Sequence, residues 1–254
     1  MHEAMTDAIT DAMTAGTIRI PGAGGDEIEA YYAGPTSTVR RGGIVIIHHL
    51  PGYDRWTKEV ARRFAVDGYD VLIPNLYFRE APGADPDDAA AVARAQGGVS
   101  DERLIGDVGG AAEYLRGRPT SNGKVAVLGH CSGGRQAVLA ACNLPLQGAV
   151  DCYGAFVIGN PPSDFPLQVH GLEDQLGNLS CPLLGMFGNE DSYPSPEQVD
   201  ELGRLLDEHG KDYELHRYDG AGHGFFAADR PSYRQEQAVD GYTKIAAFFA
   251  RTIG

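Results

Sequence analysis

Short apolar runs alternate with amphipathic segments along most of this 254-residue chain. The run Ile44–Ile47 is apolar at every position, as expected of a strand that is buried on both faces. Similar runs follow at 71–73, 125–128, 149–150 and 183–184. Between the runs, apolar residues recur every three or four positions, as in helices with one buried side, at 56–64, 104–115, 199–206 and 238–249. This alternation predicts an α/β fold with a mostly parallel sheet and helices on both faces.

The amino-terminal part departs from that alternation. Residues 1–15 carry an apolar side chain at every fourth position, which predicts a short accessory helix, packed on the domain or in contact with a second copy. The apolar segments 18–20 and 28–32 then flank Gly22–Gly25, a pattern typical of a β-hairpin. No linker or internal repeat interrupts 16–254, so we expect a single domain there.

Glycine accounts for 34 of the 254 residues, about twice its usual share, and predicts many turns. The segment 81–100 is rich in glycine, proline and aspartate. We expect it to form a loop or cap near the strand ends, where the active sites of such sheets gather.

Acidic residues outnumber basic residues by 35 to 21, which gives a formal net charge of −14. Nucleic acids and anionic membranes are therefore poor partners. No stretch approaches the ~18 apolar residues that a membrane span needs, and the first residues are acidic where a signal peptide is basic. We expect a soluble, cytoplasmic protein whose four cysteines are reduced thiols.

The most informative motif is Gly129-His-Cys131-Ser-Gly133, which follows the apolar run 125–128 and precedes a helical pattern. This is the layout of the nucleophile elbow, with cysteine in place of serine. Glycines on both sides leave room for a strained strand-to-helix turn that exposes the nucleophile. Cys131 would lie at a helix N-terminus, where the helix dipole favours the thiolate. The alternative is a buried structural cysteine in a glycine-rich turn.

Such a nucleophile needs a base and a carboxylate that orients the base, in the order nucleophile, acid, histidine along the chain. Asp191 follows the apolar run 183–184, and His223 lies among glycines further on. These two residues fit the roles of orienting acid and base. Taken alone, Asp191 is equally explained as a helix or turn cap and His223 as a surface-loop histidine.

At these motifs the sequence resembles the dienelactone hydrolase family, a branch of the α/β-hydrolases that uses a Cys-Asp-His triad. The resemblance covers nearly the whole chain after about residue 15. It is carried by the segments 70–79, 129–134, 187–191, 222–226 and 229–233. By this resemblance the fold is that of an α/β-hydrolase, Cys131 is the nucleophile, His223 its base and Asp191 the residue that orients the base.

The oxyanion hole of such an enzyme is expected to use two backbone N–H groups. One is that of Ser132, directly after the nucleophile. The second comes from the turn after Ile44–Ile47, where Leu50 is the better donor because Pro51 has no N–H. His49 stands where the family's dienelactone enzymes have a glutamate. Its role is either functional, in contacting the substrate or tuning the Cys131 thiolate, or structural, as one of a hydrogen-bonded pair with His48.

The resemblance also suggests substrate contacts. Arg79 matches an arginine that in the family binds the substrate carboxylate, whereas a second family arginine is replaced by Ala227; Arg230 lies close by in sequence. The aromatic residues Tyr153 and Phe225 are candidates for the wall of an apolar pocket, or for the core.

Together these features predict a cofactor-independent hydrolase that cleaves a carboxylic ester or lactone through a cysteine acyl-enzyme. One alternative is a general esterase or thioesterase of the same fold with small neutral substrates. Another is a non-catalytic relative that binds a ligand. The histidines do not have metal-site spacing. The expected partner is a small-molecule substrate, and the expected state is a monomer or a small homo-oligomer.

Overall fold

The computed structural model of the protein describes residues 12–165 and 167–254. Its strands are β1 (Met13–Pro21), β2 (Glu27–Pro35), β3 (Arg41–Ile47), β4 (Asp70–Pro74), β5 (Ser121–His130), β6 (Gly148–Cys152), β7 (Leu183–Gly188) and β8 (Tyr213–Tyr218). Its α-helices are α1 (Arg55–Val66), α2 (Pro86–Ala95), α3 (Asp101–Arg116), α4 (Ser132–Asn143), α5 (Pro196–Glu208) and α6 (Gln235–Thr252). Short 3-10 helices lie at Ala23–Gly25 and Glu173–Asn178.

The eight strands of the described residues form one sheet in the order β1-β2-β4-β3-β5-β6-β7-β8. From β4 to β8 across the sheet, neighbouring strands are parallel. The hairpin of β1 and β2 joins this parallel part through an antiparallel pairing of β2 with β4. The predicted mostly parallel sheet and the predicted amino-terminal hairpin are both confirmed.

Helices cover both faces of the sheet, as the sequence predicts. Helices α1 and α6 pack on one face, and α2 to α5 pack on the other. Within β3, Ile44 and Ile46 belong to the first of these two core layers and Val45 and Ile47 to the second, because successive strand residues point to opposite faces. A strand with cores on both sides is therefore apolar throughout, and this pattern makes β3 recognisable in the sequence.

Two sequence-based expectations need correction. The sequence pattern places residues 13–15 in the accessory helix, but they belong to β1, where pairing with β2 satisfies their backbone groups. The rest of that predicted helix, residues 1–11, lies outside the described residues. The segment 81–100 is not only loop, because α2 occupies 86–95. Three of its alanines, Ala89, Ala90 and Ala93, pack into the core below exposed acidic neighbours.

None of the helices in the described part of the chain has the length and apolar character that a membrane crossing requires. The carboxyl ends of the parallel strands all lie along one edge of the sheet. The turns after β3, β5, β6, β7 and β8 therefore meet at this edge, and they contain most of the residues singled out in the sequence.

Candidate active site

Cys131 stands in the sharp turn between β5 and α4. Its backbone has φ 57° and ψ −125°, a positive-φ conformation that side chains other than glycine rarely adopt. Two glycines make the turn possible. A Cβ atom at Gly129 would lie 1.8 Å from the carbonyl oxygen of Gly133, and a Cβ atom at Gly133 would lie 2.3 Å from that of Ile47. The structure therefore has the local geometry of a nucleophile elbow.

His223 lies between Asp191 and Cys131. Its Nδ1 is 2.8 Å from Oδ2 of Asp191, a carboxylate that is almost completely buried. The backbone N–H of Tyr193 donates to the other Asp191 oxygen at 2.9 Å, which fixes the carboxylate plane. The side chains of His223 and Cys131 also interact, since each shifts the pKa of the other. The three residues proposed from chain order thus meet in one place, although Asp191 follows β7 and His223 follows β8.

The electrostatics of the site favour a thiolate beside an imidazolium. Burial alone would raise the pKa of Cys131, but its hydrogen bond to His223, the positive charge of that ring and nearby backbone N–H groups lower the pKa overall. Burial would lower the pKa of His223, but its hydrogen bonds to Asp191 and Cys131 raise it overall. Each member of the pair is therefore stabilised in its charged form.

The two predicted oxyanion-hole donors both act on the thiol of Cys131. The backbone N–H groups of Ser132 and Leu50 both stabilise the thiolate of Cys131 and so lower its pKa. An oxygen bonded to a carbon that is attacked by this sulfur would lie within reach of both donors. Ser132 is provided by the first turn of α4, and Leu50 by the turn after β3.

His48, a residue to which the sequence assigns no definite role, holds the peptide that carries the Leu50 N–H. The carbonyl oxygen of that peptide, His49 O, accepts from the N–H of Gly52 at 2.9 Å and from Nδ1 of His48 at 2.9 Å. Nε2 of His48 in turn accepts from the N–H of Leu76 at 3.2 Å. Because the N–H and C=O of a trans peptide point in opposite directions, these bonds keep the Leu50 N–H directed towards Cys131.

His49 does not line the cleft at Cys131, in contrast to its predicted contact with the substrate. Its Nε2 is 2.7 Å from Oδ2 of Asp54, the residue that caps α1, and its ring packs against Trp56. The structural alternative is therefore the one that the geometry favours, with Asp54 as the partner. Nη2 of Arg230 lies 3.9 Å from the same carboxylate oxygen.

Arg79 is also occupied elsewhere. Its guanidinium donates to Asp26 through Nε and Nη2, both at 2.7 Å, and to Asp107 through Nη1 and Nη2, both at 2.8 Å. These bonds tie the turn of the β1–β2 hairpin to α3. The predicted role of Arg79 in substrate binding is thus not supported, because two carboxylates neutralise its charge away from the cleft. Ala227, which stands where the family has its second arginine, is buried in the core.

Tyr153 and Phe225 are core residues and do not line the cleft, which decides between the two possibilities left open by the sequence. Phe225 is completely buried. Tyr153 packs between Phe225 and His223, with its ring centroid 5.1 Å from that of His223. It therefore supports the position of the histidine ring from behind.

The cleft at Cys131 has two arms that share the wall formed by Ala155, Phe156 and Phe165. The first, here called the apolar arm, is lined mainly by Leu50, Tyr77, Val99, Leu167, Val169 and Arg135. The second, here called the histidine arm, is lined by Glu190, Asp191, Ser192, Tyr193 and His223. The sequence indicates Val99 only through its position in the Gly- and Pro-rich segment 81–100, and it carries no signal for the shared wall.

Comparison with known proteins agrees with this architecture. The family model described as "Dienelactone hydrolase family" matches residues 28–253. The chain belongs to this family of hydrolases. The resemblance seen in the sequence is therefore confirmed, and with it the hydrolase class.

Individual relatives cover most of the chain. A Salmonella typhimurium protein named "Putative carboxymethylenebutenolidase" is 31% identical, with 94% of this chain and 88% of that protein aligned. A Bradyrhizobium protein named "Probable 2-oxo-3-(5-oxofuran-2-ylidene)propanoate lactonase" is 27% identical, with 84% of this chain and 85% of that protein aligned. The crystal structure of a "Putative Dienelactone Hydrolase" from Klebsiella pneumoniae superposes with a TM-score of 0.83 at 27% identity, over 94% of this chain and 99% of that one. The α/β-hydrolase fold is thereby confirmed.

Proposed function

We propose that this protein hydrolyses a carboxylic ester or a lactone through an acyl-enzyme formed on Cys131. The observation that carries the proposal is the arrangement of His223 between Asp191 and Cys131, together with the N–H groups of Ser132 and Leu50, which lower the pKa of the Cys131 thiol. The names of the Salmonella and Bradyrhizobium relatives, a carboxymethylenebutenolidase and a lactonase, support a substrate of this class.

In the first step, the thiolate of Cys131 attacks the carbonyl carbon, and the carbonyl π electrons move to the oxygen. The N–H groups of Leu50 and Ser132 stabilise the resulting oxyanion. When the carbonyl re-forms, the bond to the alkoxide breaks, and the His223 imidazolium donates its proton to the leaving oxygen. The product is a thioester on Cys131 and a neutral alcohol, which stays attached to the acyl part when the substrate is a lactone.

In the second step, neutral His223 takes a proton from a water molecule as that water attacks the thioester carbon. The same two N–H groups hold the second oxyanion. Its collapse releases the carboxylic acid and restores the Cys131 thiolate beside the His223 imidazolium. Asp191 keeps a proton on Nδ1 of His223, so that the other ring nitrogen faces the reacting atoms.

The experiment is to trap the acyl-enzyme. The protein is mixed with 4-nitrophenyl acetate, quenched in acid and digested, and we expect one acetyl group on the peptide that contains Cys131. Cys131→Ala should give neither the adduct nor catalysed release of nitrophenol. Cys181→Ala is the matched control, because Cys181 is also partly exposed but burial raises its pKa to about 12. Full activity in Cys131→Ala would refute the mechanism.

Other features of this proposal stay predictions. They are the absence of a cofactor, the cytoplasmic location, the single domain over residues 16–254 and a monomeric or small homo-oligomeric state. Size-exclusion chromatography with light scattering tests the last of these. Activity after exhaustive dialysis against a chelator tests the first.

A further inference from the structure

The two arms of the cleft can be assigned to the two parts of an ester. This step rests on the proposed function. Leu50 and Ser132, which hold the carbonyl oxygen, lie in the apolar arm, whereas His223 lies in the histidine arm. Since His223 must protonate the leaving alkoxide, the alcohol part belongs in the histidine arm. The acyl part, which stays bonded to Cys131, then belongs in the apolar arm.

Most side chains that line the apolar arm are apolar. Val99 and the ring of Tyr77 are buried, and Leu167 and Val169 are partly exposed. Phe156 closes the wall between the arms and is itself almost fully buried. An acyl chain in this arm would transfer from water to a hydrocarbon surface, which is favourable in proportion to the area buried.

Among the described residues that line the apolar arm, the only charged one is Arg135, and its charge is already paired. Nη1 and Nη2 each donate to a different oxygen of Asp101 at 2.8 Å. Nε and Nη2 also donate to the carbonyl oxygen of His170, at 3.1 and 2.7 Å. A substrate carboxylate in this arm would lose its hydration and compete with Asp101 for the guanidinium, and both effects disfavour it.

We propose that the apolar arm binds an uncharged, apolar acyl group, so that the substrates are neutral esters and lactones without a carboxylate on the acyl side. The occupied state of Arg79 agrees with this, because that guanidinium is held by Asp26 and Asp107 outside the cleft. The histidine arm carries the carboxylates of Glu190 and Asp191, and the positive charge of the His223 imidazolium is already paired with Asp191 and the Cys131 thiolate, so this arm offers no free cation to an anionic substrate either.

The first test compares aryl esters of one phenol. From acetyl to hexanoyl, kcat/KM is expected to rise with chain length, by up to about fourfold for each methylene that becomes buried. The hydrogen adipate and methyl adipate esters have acyl parts of nearly the same size, and only the former is charged. We expect the hydrogen adipate to react at least about tenfold more slowly. Equal or faster reaction of the hydrogen adipate would overturn the proposal.

The second test changes the arms separately. Val169→Phe reduces the space in the apolar arm and is expected to lower the ratio of kcat/KM for hexanoate to that for acetate. Val99→Ala enlarges the same arm and should move the preferred chain length upwards. Ser192→Phe lies in the histidine arm and should leave the ratio unchanged. Val39→Phe, at a position that is 63% exposed, is the control for folding and basal activity.

The outcomes separate this inference from the proposed function. If no ester acylates Cys131, the proposed function itself fails. If Cys131 is acylated but the hydrogen adipate is preferred, only the assignment of a neutral acyl group fails, and loss of that preference in Arg135→Gln would identify the cation responsible. If Ser192→Phe alters the acyl-chain ratio while Val169→Phe does not, the assignment of the arms is wrong.

Discussion

The backbone of Cys131 has a positive φ of 57°, a conformation that costs of order 1–3 kcal/mol in a residue with a side chain. Two backbone hydrogen bonds hold Cys131 in this conformation. The N–H of Cys131 donates to the carbonyl oxygen of Cys152 at 3.0 Å, and its own carbonyl accepts from Gly134 at 2.9 Å. Fixed from both sides, the residue presents its partly exposed side chain to the cleft at the start of α4.

The lowered pKa of Cys131 leads to a prediction about pH dependence. The thiolate should persist below the ordinary thiol pKa of ~8.5, so kcat/KM for a neutral ester should stay high well below that pH. Asp191→Asn removes the charge that supports the imidazolium, and it should move the acidic limb of the profile to higher pH. The measurements are kcat/KM against pH and far-ultraviolet thiolate absorbance. If the acidic limb of the wild-type profile lies at the ordinary thiol pKa, Cys131 and His223 do not form the expected thiolate–imidazolium pair.

A second residue-scale prediction concerns His48 as a positioning residue. His48→Leu removes one of the two donors that hold the His49 carbonyl oxygen, so the Leu50 N–H should be less well oriented. We expect kcat to fall by roughly tenfold to a hundredfold with little change in KM. His48→Gln, whose amide can both donate and accept, should recover part of the loss.

Alkylation by iodoacetamide distinguishes this role from general damage to the site. That reaction needs the Cys131 thiolate but develops no oxyanion. Its rate should therefore change far less in His48→Leu than kcat does. Equal losses in both rates would mean that the substitution disturbs the thiolate and not the oxyanion hole.

The proposed catalytic residues can be singled out in the sequence because their signals are local. A cysteine between two glycines at the end of an apolar strand is typical of a nucleophile elbow, and Asp191 and His223 each follow a strand in the expected order. The partners of Arg79 are not local. Asp26 and Asp107 lie 53 and 28 positions away, and only the paired hairpin and α3 bring their carboxylates to the guanidinium. A match to the family at Arg79 therefore could not reveal that two carboxylates of the same chain neutralise its charge.

At the scale of elements, Arg79 connects the β1–β2 hairpin with α3. Asp107 is completely buried and also accepts from the N–H of Ala23 at 2.8 Å. Arg79→Ala would leave this carboxylate without its counter-charge, so we expect a loss of about 3 kcal/mol in the free energy of unfolding. Urea denaturation measures the loss, and the relative rates on hydrogen adipate and methyl adipate esters should not change.

A double-mutant cycle with Asp107→Ala is the control for this prediction. Because both substitutions remove the same pair, their combined cost should be clearly smaller than the sum of the separate costs. Additive costs, or a selective loss of activity on the charged ester in Arg79→Ala, would show that Arg79 has another role.

The sequence pattern does not predict helix α2, and this helix shows why composition alone does not distinguish a loop from a helix. Its first residues are Pro86, Asp87 and Asp88, and a segment rich in proline and aspartate is typical of a loop. Proline in the first turn and acidic residues near an N-terminus are equally typical of a helix start. The alanines that follow bury a narrow face, and so small a face gives only a weak periodic signal.

At the scale of the molecule, the cleft is assembled from turns that are far apart in the sequence. Leu50 follows β3, Ala155 follows β6 and Tyr193 follows β7, while α2 leads into Val99. No local pattern reports which side chains will face one another across such a cleft. The sequence therefore indicates the proposed catalytic residues, whereas the sizes and charges of the two arms emerge only from the folded chain.

The two buried histidines beneath that cleft, His48 and His130, should make the stability of the whole molecule sensitive to acid. Burial lowers the pKa of His130 to about 3 and the pKa of His48 to about 4. The neighbouring His49 lowers the pKa of His130 further, whereas the carboxylate of Asp54 acts to raise it. In the unfolded chain His48 and His130 would both titrate near 6.5. The unfolded state therefore binds more protons below pH 6.5, and stability falls as the pH drops towards 4.

His130→Phe isolates the contribution of one of these residues. The His130 ring packs among Trp56, Tyr153 and Phe226, and its Nε2 has no hydrogen-bond partner among the described residues, so a phenyl ring keeps the aromatic contacts without a group to protonate. Between pH 7 and pH 5, wild type should lose about 2 kcal/mol more of its unfolding free energy than the variant. Urea denaturation at both pH values measures the difference. If both proteins lose stability equally, His130 takes up its proton without unfolding, and the acid sensitivity of the molecule must arise from other groups.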